Sequence, residues 1–167
     1  RPRVVAVLPQ ASVAVDELLC MAAALEAGST HPLARAVRER AAEAGIAVPA
    51  VADFADVPGH GVRGTVDGKT AAIGNTALMQ QLGVDVAALQ AQADALRGDG
   101  ASVMYVAADG AALGLLAVAD PIKPSAAEAI AALHAAGLRI VMASGDGNVT
   151  AQAVAKALGL DLSLIHI

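Results

Sequence analysis

Apolar positions in the first fifty residues repeat at helical spacing. Over Asp16 to Ala27 (DELLCMAAALEA), Leu18, Leu19, Ala22 and Leu25 fall near one face, and Gly28 is placed to close the helix in a left-handed cap. A second helix is predicted after Thr30, its cap. Pro32 is tolerated in its first turn, Leu33, Val37 and Ala41 form its stripe, and Gly45 stops it. From Val57 the texture changes. GVRGTV, Asp67-Gly68 and KTAAIGN read as strand, two-residue turn and strand, and SVMYVA, Asp109-Gly110 and AALGLLAVA repeat the device. Two short helices, Thr76 to Leu82 and Val86 to Leu96, separate the hairpins. Antiparallel strands with interspersed helices predict an α+β unit over residues 4–118.

After Asp120-Pro121 the grammar switches. Pro124 to Ala136 reads as a helix ended by Gly137, LRIVMA as a buried strand, and Thr150 to Leu158 as a helix ended by Gly159. One buried strand with two helices cannot cover its own edges, so this part is expected to be half of a parallel α/β domain whose other strands lie outside the chain. The expected division is residues 1–118 and 119–167, with the final LSLIHI assigned no partner.

Composition narrows the function classes. Hydrophobic residues make up 56% of the 167, yet there is one Tyr, one Phe and no Trp, so the core rests on Ala, Val and Leu. Apolar runs such as Leu18 to Leu25 fall short of the ~18 residues that a membrane-spanning helix needs. A formal charge of −5 offers no basic patch, and with so few aromatic rings nucleic acid is not an expected partner. Cys20 alone excludes an internal disulfide, and no targeting peptide is read at Arg1 to Leu8. His31, His60, His134, His166 and Cys20 fit no metal-ligand spacing, so no metal site is expected.

Short clusters carry the candidate chemistry: Glu26 with His31-Pro32, then Gly59-His60-Gly61-Val62, then Gly74-Asn75. Taken singly they are a solvated helix-end charge, a helix start, turn glycines and the cap of the following helix. Taken together, a carboxylate and an imidazole five residues apart, beside glycines that let a ligand approach the backbone, can build a pocket for a flat polar base such as adenine. Ser144-Gly145-Asp146 follows the predicted buried strand and precedes a helix N-terminus, where a phosphate would bind or where an ordinary turn would be capped. Asp120-Pro121-Ile122-Lys123 is either a rigid linker or a hinge whose Asp120 and Lys123 face a nucleotide.

The order Glu26, THPL (Thr30 to Leu33), PGHGV (Pro58 to Val62), IGN (Ile73 to Asn75), DPIK (Asp120 to Lys123) and SGDG (Ser144 to Gly147) resembles the cytoplasmic ATP-binding region of heavy-metal-transporting P-type ATPases, over nearly the whole chain. That resemblance implies a nucleotide site lined by Glu26, His31, Gly59, Gly61, Val62, Gly74 and Asn75, with His31 serving where other P-type pumps use an aromatic residue. It implies that Ser144 and Asp146 form the phosphate loop, Ser144 standing for the family's Thr, and that Asp120 and Lys123 belong to the hinge. Thr30 departs from the family's second glutamate. No Asp-Lys pair occurs in the sequence, and neither the Asp-Lys-Thr-Gly-Thr loop of the phosphorylated aspartate nor the Gly-Asp-Gly-x-Asn-Asp magnesium motif is present.

The fold so implied is an antiparallel nucleotide-binding domain followed by part of a haloacid-dehalogenase-like, Rossmann-type phosphorylation domain. The function implied is ATP docking, with Mg²⁺ arriving on the ATP, for a metal exporter, copper foremost. Its partners would be ATP or ADP and the phosphorylation, actuator and membrane domains of the same polypeptide. The fragment itself would not touch the membrane and would sit on the cytoplasmic side of a bacterial inner membrane. Two other readings stay open: a haloacid-dehalogenase-like phosphatase or phosphotransferase, and a non-catalytic adenine-nucleotide module.

Overall fold

The computed structural model describes residues 1–122, 124–140, 142 and 148–160. Six strands form one antiparallel sheet: β1 (Arg3–Pro9), β2 (Val51–Val57), β3 (Gly61–Val66), β4 (Lys69–Gly74), β5 (Ser102–Ala108) and β6 (Ala111–Ala119), in the order β1-β6-β5-β4-β3-β2. Helices α1 (Val15–Glu26) and α2 (Pro32–Glu43) cover one face. The other carries α3 (Thr76–Gln81), a 3₁₀ turn at Ala87–Leu89 and α4 (Gln90–Gly98).

Both predicted hairpins form, and their turns show why. Asp67 and Gly68 sit at φ +47° and +76°, and Asp109 and Gly110 at +49° and +78°, the paired left-handed conformations that match the twist of the flanking strands. The two hairpins are tied together where the Thr70 N–H donates to the Asp109 carboxylate (3.1 Å) and the Asp109 N–H to the Thr70 carbonyl (2.8 Å).

The sheet is buried on both sides, which is why its central strands are unbroken apolar runs. On β5, Met104, Val106 and Ala108 meet α1, while Val103, Tyr105 and Ala107 join Leu78, Met79 and Leu89 beneath α3 and α4. The single Tyr is thus fully buried, with the Arg97 guanidinium 5.8 Å above its ring.

The edge strands β1 and β2 are absent from the sequence-based expectation. Each contains a bulge, at Val5 in β1 and at Asp53-Phe54 in β2, which breaks the alternation a pattern search needs. The predicted Val86 to Leu96 helix is in fact the 3₁₀ turn followed by α4, after Asp85 accepts from the Ala87 N–H (2.9 Å).

Beyond the sheet, α5 (Pro124–Ala135) and α6 (Asn148–Leu158) form as expected, and α6 packs on α4 through Ala151 and Ala155. Of the predicted LRIVMA strand, Leu138, Arg139, Ile140 and Met142 belong to no strand of the described sheet, and Val141 and Ala143 lie outside the described residues. Among the described residues no helix is long and apolar enough to cross a membrane.

Gly114 lets β6 run close under β1. At φ +154°, a Cβ there would lie 2.4 Å from the Leu8 carbonyl oxygen and 2.8 Å from Leu18 Cδ2. Gly114→Ala should therefore cost about 2 kcal/mol or more in urea unfolding. Gly98→Ala, whose new methyl meets nothing within 4 Å, should be neutral or slightly stabilising. Equal effects at the two positions would contradict this packing.

Candidate functional site

Glu26, the last residue of α1, is 6% exposed and is the one charged side chain buried among the described residues. It is not the solvated helix-end charge that the sequence also allowed. Helix α1 stops there because the chain turns through residues 27–31, and Arg38 from α2 holds that turn. One guanidinium nitrogen donates to the Glu26 carbonyl (2.6 Å) and to the Ser29 carbonyl (2.9 Å), satisfying acceptors left over at the helix end. Burial pushes the Glu26 carboxyl up to about 7. A hydrogen bond from Ser29 and the Arg38 charge pull it back, while the Asp56 carboxylate adds to the rise.

His31, rather than Thr30, caps α2. Its Nδ1 accepts from the Leu33 N–H (3.2 Å), and Pro32 fills the first helical position. With Nδ1 accepting, the neutral ring carries its proton on Nε2, leaving a donor for a ligand.

Asn75 is committed at both ends of its side chain. Its carbonyl oxygen caps α3 by accepting from the Leu78 N–H (3.0 Å), and its amide donates to the Gly59 carbonyl (2.8 Å). Its own N–H donates to the His60 carbonyl (2.9 Å), so Asn75 positions the 58–61 turn.

Two of the glycines have a structural duty of their own. Gly61 and Gly74 pair directly across β3 and β4. A Cβ on Gly61 would sit 2.2 Å from the Ile73 carbonyl oxygen, and one on Gly74 would sit 2.2 Å from that of His60. The approach of two backbones alone requires glycine at both positions. Gly59 differs: its φ is +73° and a Cβ would meet nothing within 4 Å, so the surface above it is open.

These residues surround one cavity of about 620 Å³ between the α1–α2 turn and the ends of β2, β3 and β4. Of the residues singled out from sequence, the structure brings together Glu26, His31, Gly59, Gly61, Val62, Gly74 and Asn75. Asp120 is not among its lining residues. Lys123, Ser144 and Asp146 lie outside the described residues. The sequence reading missed Phe54 and Asp56, which β2 contributes to the wall, and Gly28, on which Phe54 rests. The signal available was slight: the chain's one Phe, in a segment whose alternation the bulge conceals.

The cavity therefore joins an imidazole N–H, a buried carboxyl and a mostly apolar wall, a lining suited to a flat heterocycle with polar edges. Among the described residues no three His, Cys, Asp or Glu side chains are arranged to hold a metal ion.

A family model described as haloacid dehalogenase-like hydrolase matches residues 1–167. The chain belongs to that family. Within it, the chain is 50% identical over 161 residues to the copper-transporting P-type ATPase of Rhizobium leguminosarum bv. viciae, covering 96% of this chain and 19% of that protein. It is 47% identical over 144 residues to the silver exporting P-type ATPase of Salmonella typhimurium, covering 86% and 18%. A crystal structure of a zinc-transporting PIB-type ATPase in the E2.Pi state matches with a TM-score of 0.84 at 32% identity, over 98% of this chain and 26% of that one. The chain thus spans about a fifth of the length of these curated relatives, and the resemblance to metal-transporting P-type ATPases read from its motifs holds.

Glu26 gives the site a pH signature. Its carboxyl ionises near 4.5 when unfolded and about 7 when folded, so the stability that Glu26 contributes is fully present below pH 4.5 and is lost as the pH rises to about 7. The loss attributable to Glu26 is about 3 kcal/mol. Urea unfolding at pH 5 and pH 8 should show this fall in the wild type, and Glu26→Gln should be flatter by that amount. Parallel pH profiles would mean that the carboxyl is solvated.

Proposed function

We propose that the chain is the ATP-docking region of a heavy-metal-exporting P-type ATPase, copper foremost. In this reading residues 1–118 form the nucleotide-binding domain and residues 119–167 begin the phosphorylation domain. The observation that carries the reading is the convergence of three sequence-distant clusters, Glu26 to His31, Gly59 to Val62 and Gly74 to Asn75, on one cavity. The names of the relatives support it. Because those names cite copper, silver and zinc, this region carries the common ATP chemistry, and the metal is read elsewhere in the polypeptide.

ATP or ADP enters with its adenine in the cavity, where the His31 Nε2–H donates to a ring nitrogen and Glu26 meets the amino edge. Its Mg²⁺ arrives on the phosphates. A hinge near Asp120 and Lys123 then carries the γ-phosphate to an aspartate of the same polypeptide, outside this sequence, while the Ser144 hydroxyl contacts the phosphoryl group from the loop that Asp146 completes. The aspartate oxygen attacks the γ-phosphorus, the bond to the β–γ bridging oxygen breaks, and ADP leaves. Water later cleaves the acyl phosphate and restores the carboxylate. The domain works on the cytoplasmic side of a bacterial inner membrane, joined to actuator and membrane domains.

His31→Asn is the informative variant, because asparagine keeps the helix cap while removing the Nε2–H. Calorimetric titration should show ATP affinity weakened by about 1–3 kcal/mol with an unchanged melting temperature. Equal affinities would remove His31 from the site. The 167-residue chain incubated with γ-labelled MgATP should acquire no acid-stable, hydroxylamine-sensitive label, since it contains no Asp-Lys-Thr-Gly-Thr loop. A labelled band would place the nucleophile among its own carboxylates.

A further inference from the structure

Phe54 is 38% exposed in a chain with no other Phe and no Trp, and it lines the cavity. Its direction is set by a bulge. Val51 pairs with Val66 and Ala52 with Thr65, but the register then slips, so that Asp53 and Phe54 together oppose Gly64 before Ala55 pairs with Arg63. In a regular strand, Phe54 and Asp56 would lie on the face opposite Val51. The extra residue returns both to the α1 side, where the Phe54 ring comes within 3.4 Å of the Cβ position of Gly28.

The bulge is costly to build. Asp53 adopts φ +53°, and Gly64 must lack a side chain because a Cβ would lie 2.5 Å from Val51 Cγ2. That arrangement does not bury the ring. It leaves the ring in the wall of a cavity that His31 also lines.

Resting on the nucleotide reading above, we infer that Phe54 is the stacking surface for the purine, with the Asp53-Phe54 bulge aiming its ring and Gly28 backing it. The polar edge is then read by His31 and Glu26, and the face by Phe54. Base on aromatic stacking is strongest for purines, so the ring adds a preference for ATP over pyrimidine nucleotides.

The test titrates ATP and UTP into the wild-type chain, Phe54→Leu and Phe54→Tyr, with melting curves alongside. Phe54→Leu, which keeps apolar bulk without a ring, should weaken ATP about five- to ten-fold, narrow the ATP:UTP ratio and leave the melting temperature near wild type. Phe54→Tyr should restore ATP binding. In the wild type, NMR should show contacts from the adenine H2 or H8 to the one Phe spin system, a readout that does not depend on any variant folding. If the wild type binds ATP without those contacts, or Phe54→Leu binds it unchanged, the stacking role is overturned and the nucleotide reading stands. No ATP binding by the wild type would overturn both.

Discussion

Two strands meet at Gly61 and Gly74 more closely than any side chain allows, and the site is arranged around that approach. A methyl group on Gly61 would overlap the Ile73 carbonyl oxygen, and one on Gly74 that of His60, each at 2.2 Å. The contact brings the 58–61 turn onto the start of α3, where Asn75 holds it through two hydrogen bonds and caps the helix through a third. Opposite, Arg38 fixes the α1–α2 turn through two backbone carbonyls. Two rigid turns thus face each other across the cavity, and the free groups they present are few: the His31 Nε2, the Glu26 carboxyl and the open surface over Gly59.

This division of labour separates residues that build the site from residues that remain available to a ligand. Gly61, Gly74 and Asn75 build it, and their polar groups and close contacts are spent within the protein. Glu26 meets the cavity at an energetic cost, because burial raises its carboxyl to about 7 despite the Ser29 hydrogen bond and the Arg38 charge. Such unresolved cost is common where a protein keeps a group ready for a ligand.

Much of the fold was legible because local chemistry and global topology agree in it. Asp67-Gly68 and Asp109-Gly110 announce their turns, and Pro32 opens the second of two helices that form where expected, although α1 ends through Ala27 in the right-handed region and Gly28 does not take the left-handed cap conformation read from sequence. The edge strands were not legible, since the bulges at Val5 and Asp53-Phe54 remove the period-two signal on which strand recognition depends. Seven candidate site residues were found from their grouping and do share one cavity. Their roles were less readable: nothing in G-x-G distinguishes a glycine required by a neighbouring strand from one facing open space, and Phe54 becomes visible only once the bulge is known.

The central claim is that an adenine nucleotide occupies this cavity. The direct measurement is an amide NMR titration of the chain with ATP. The account predicts concentration-dependent shifts confined to Glu26 through His31, Phe54 through Val62 and Gly74-Asn75, with β1 and the outer surface of α2 unmoved. Shifts centred elsewhere, or none at millimolar ATP, would contradict it.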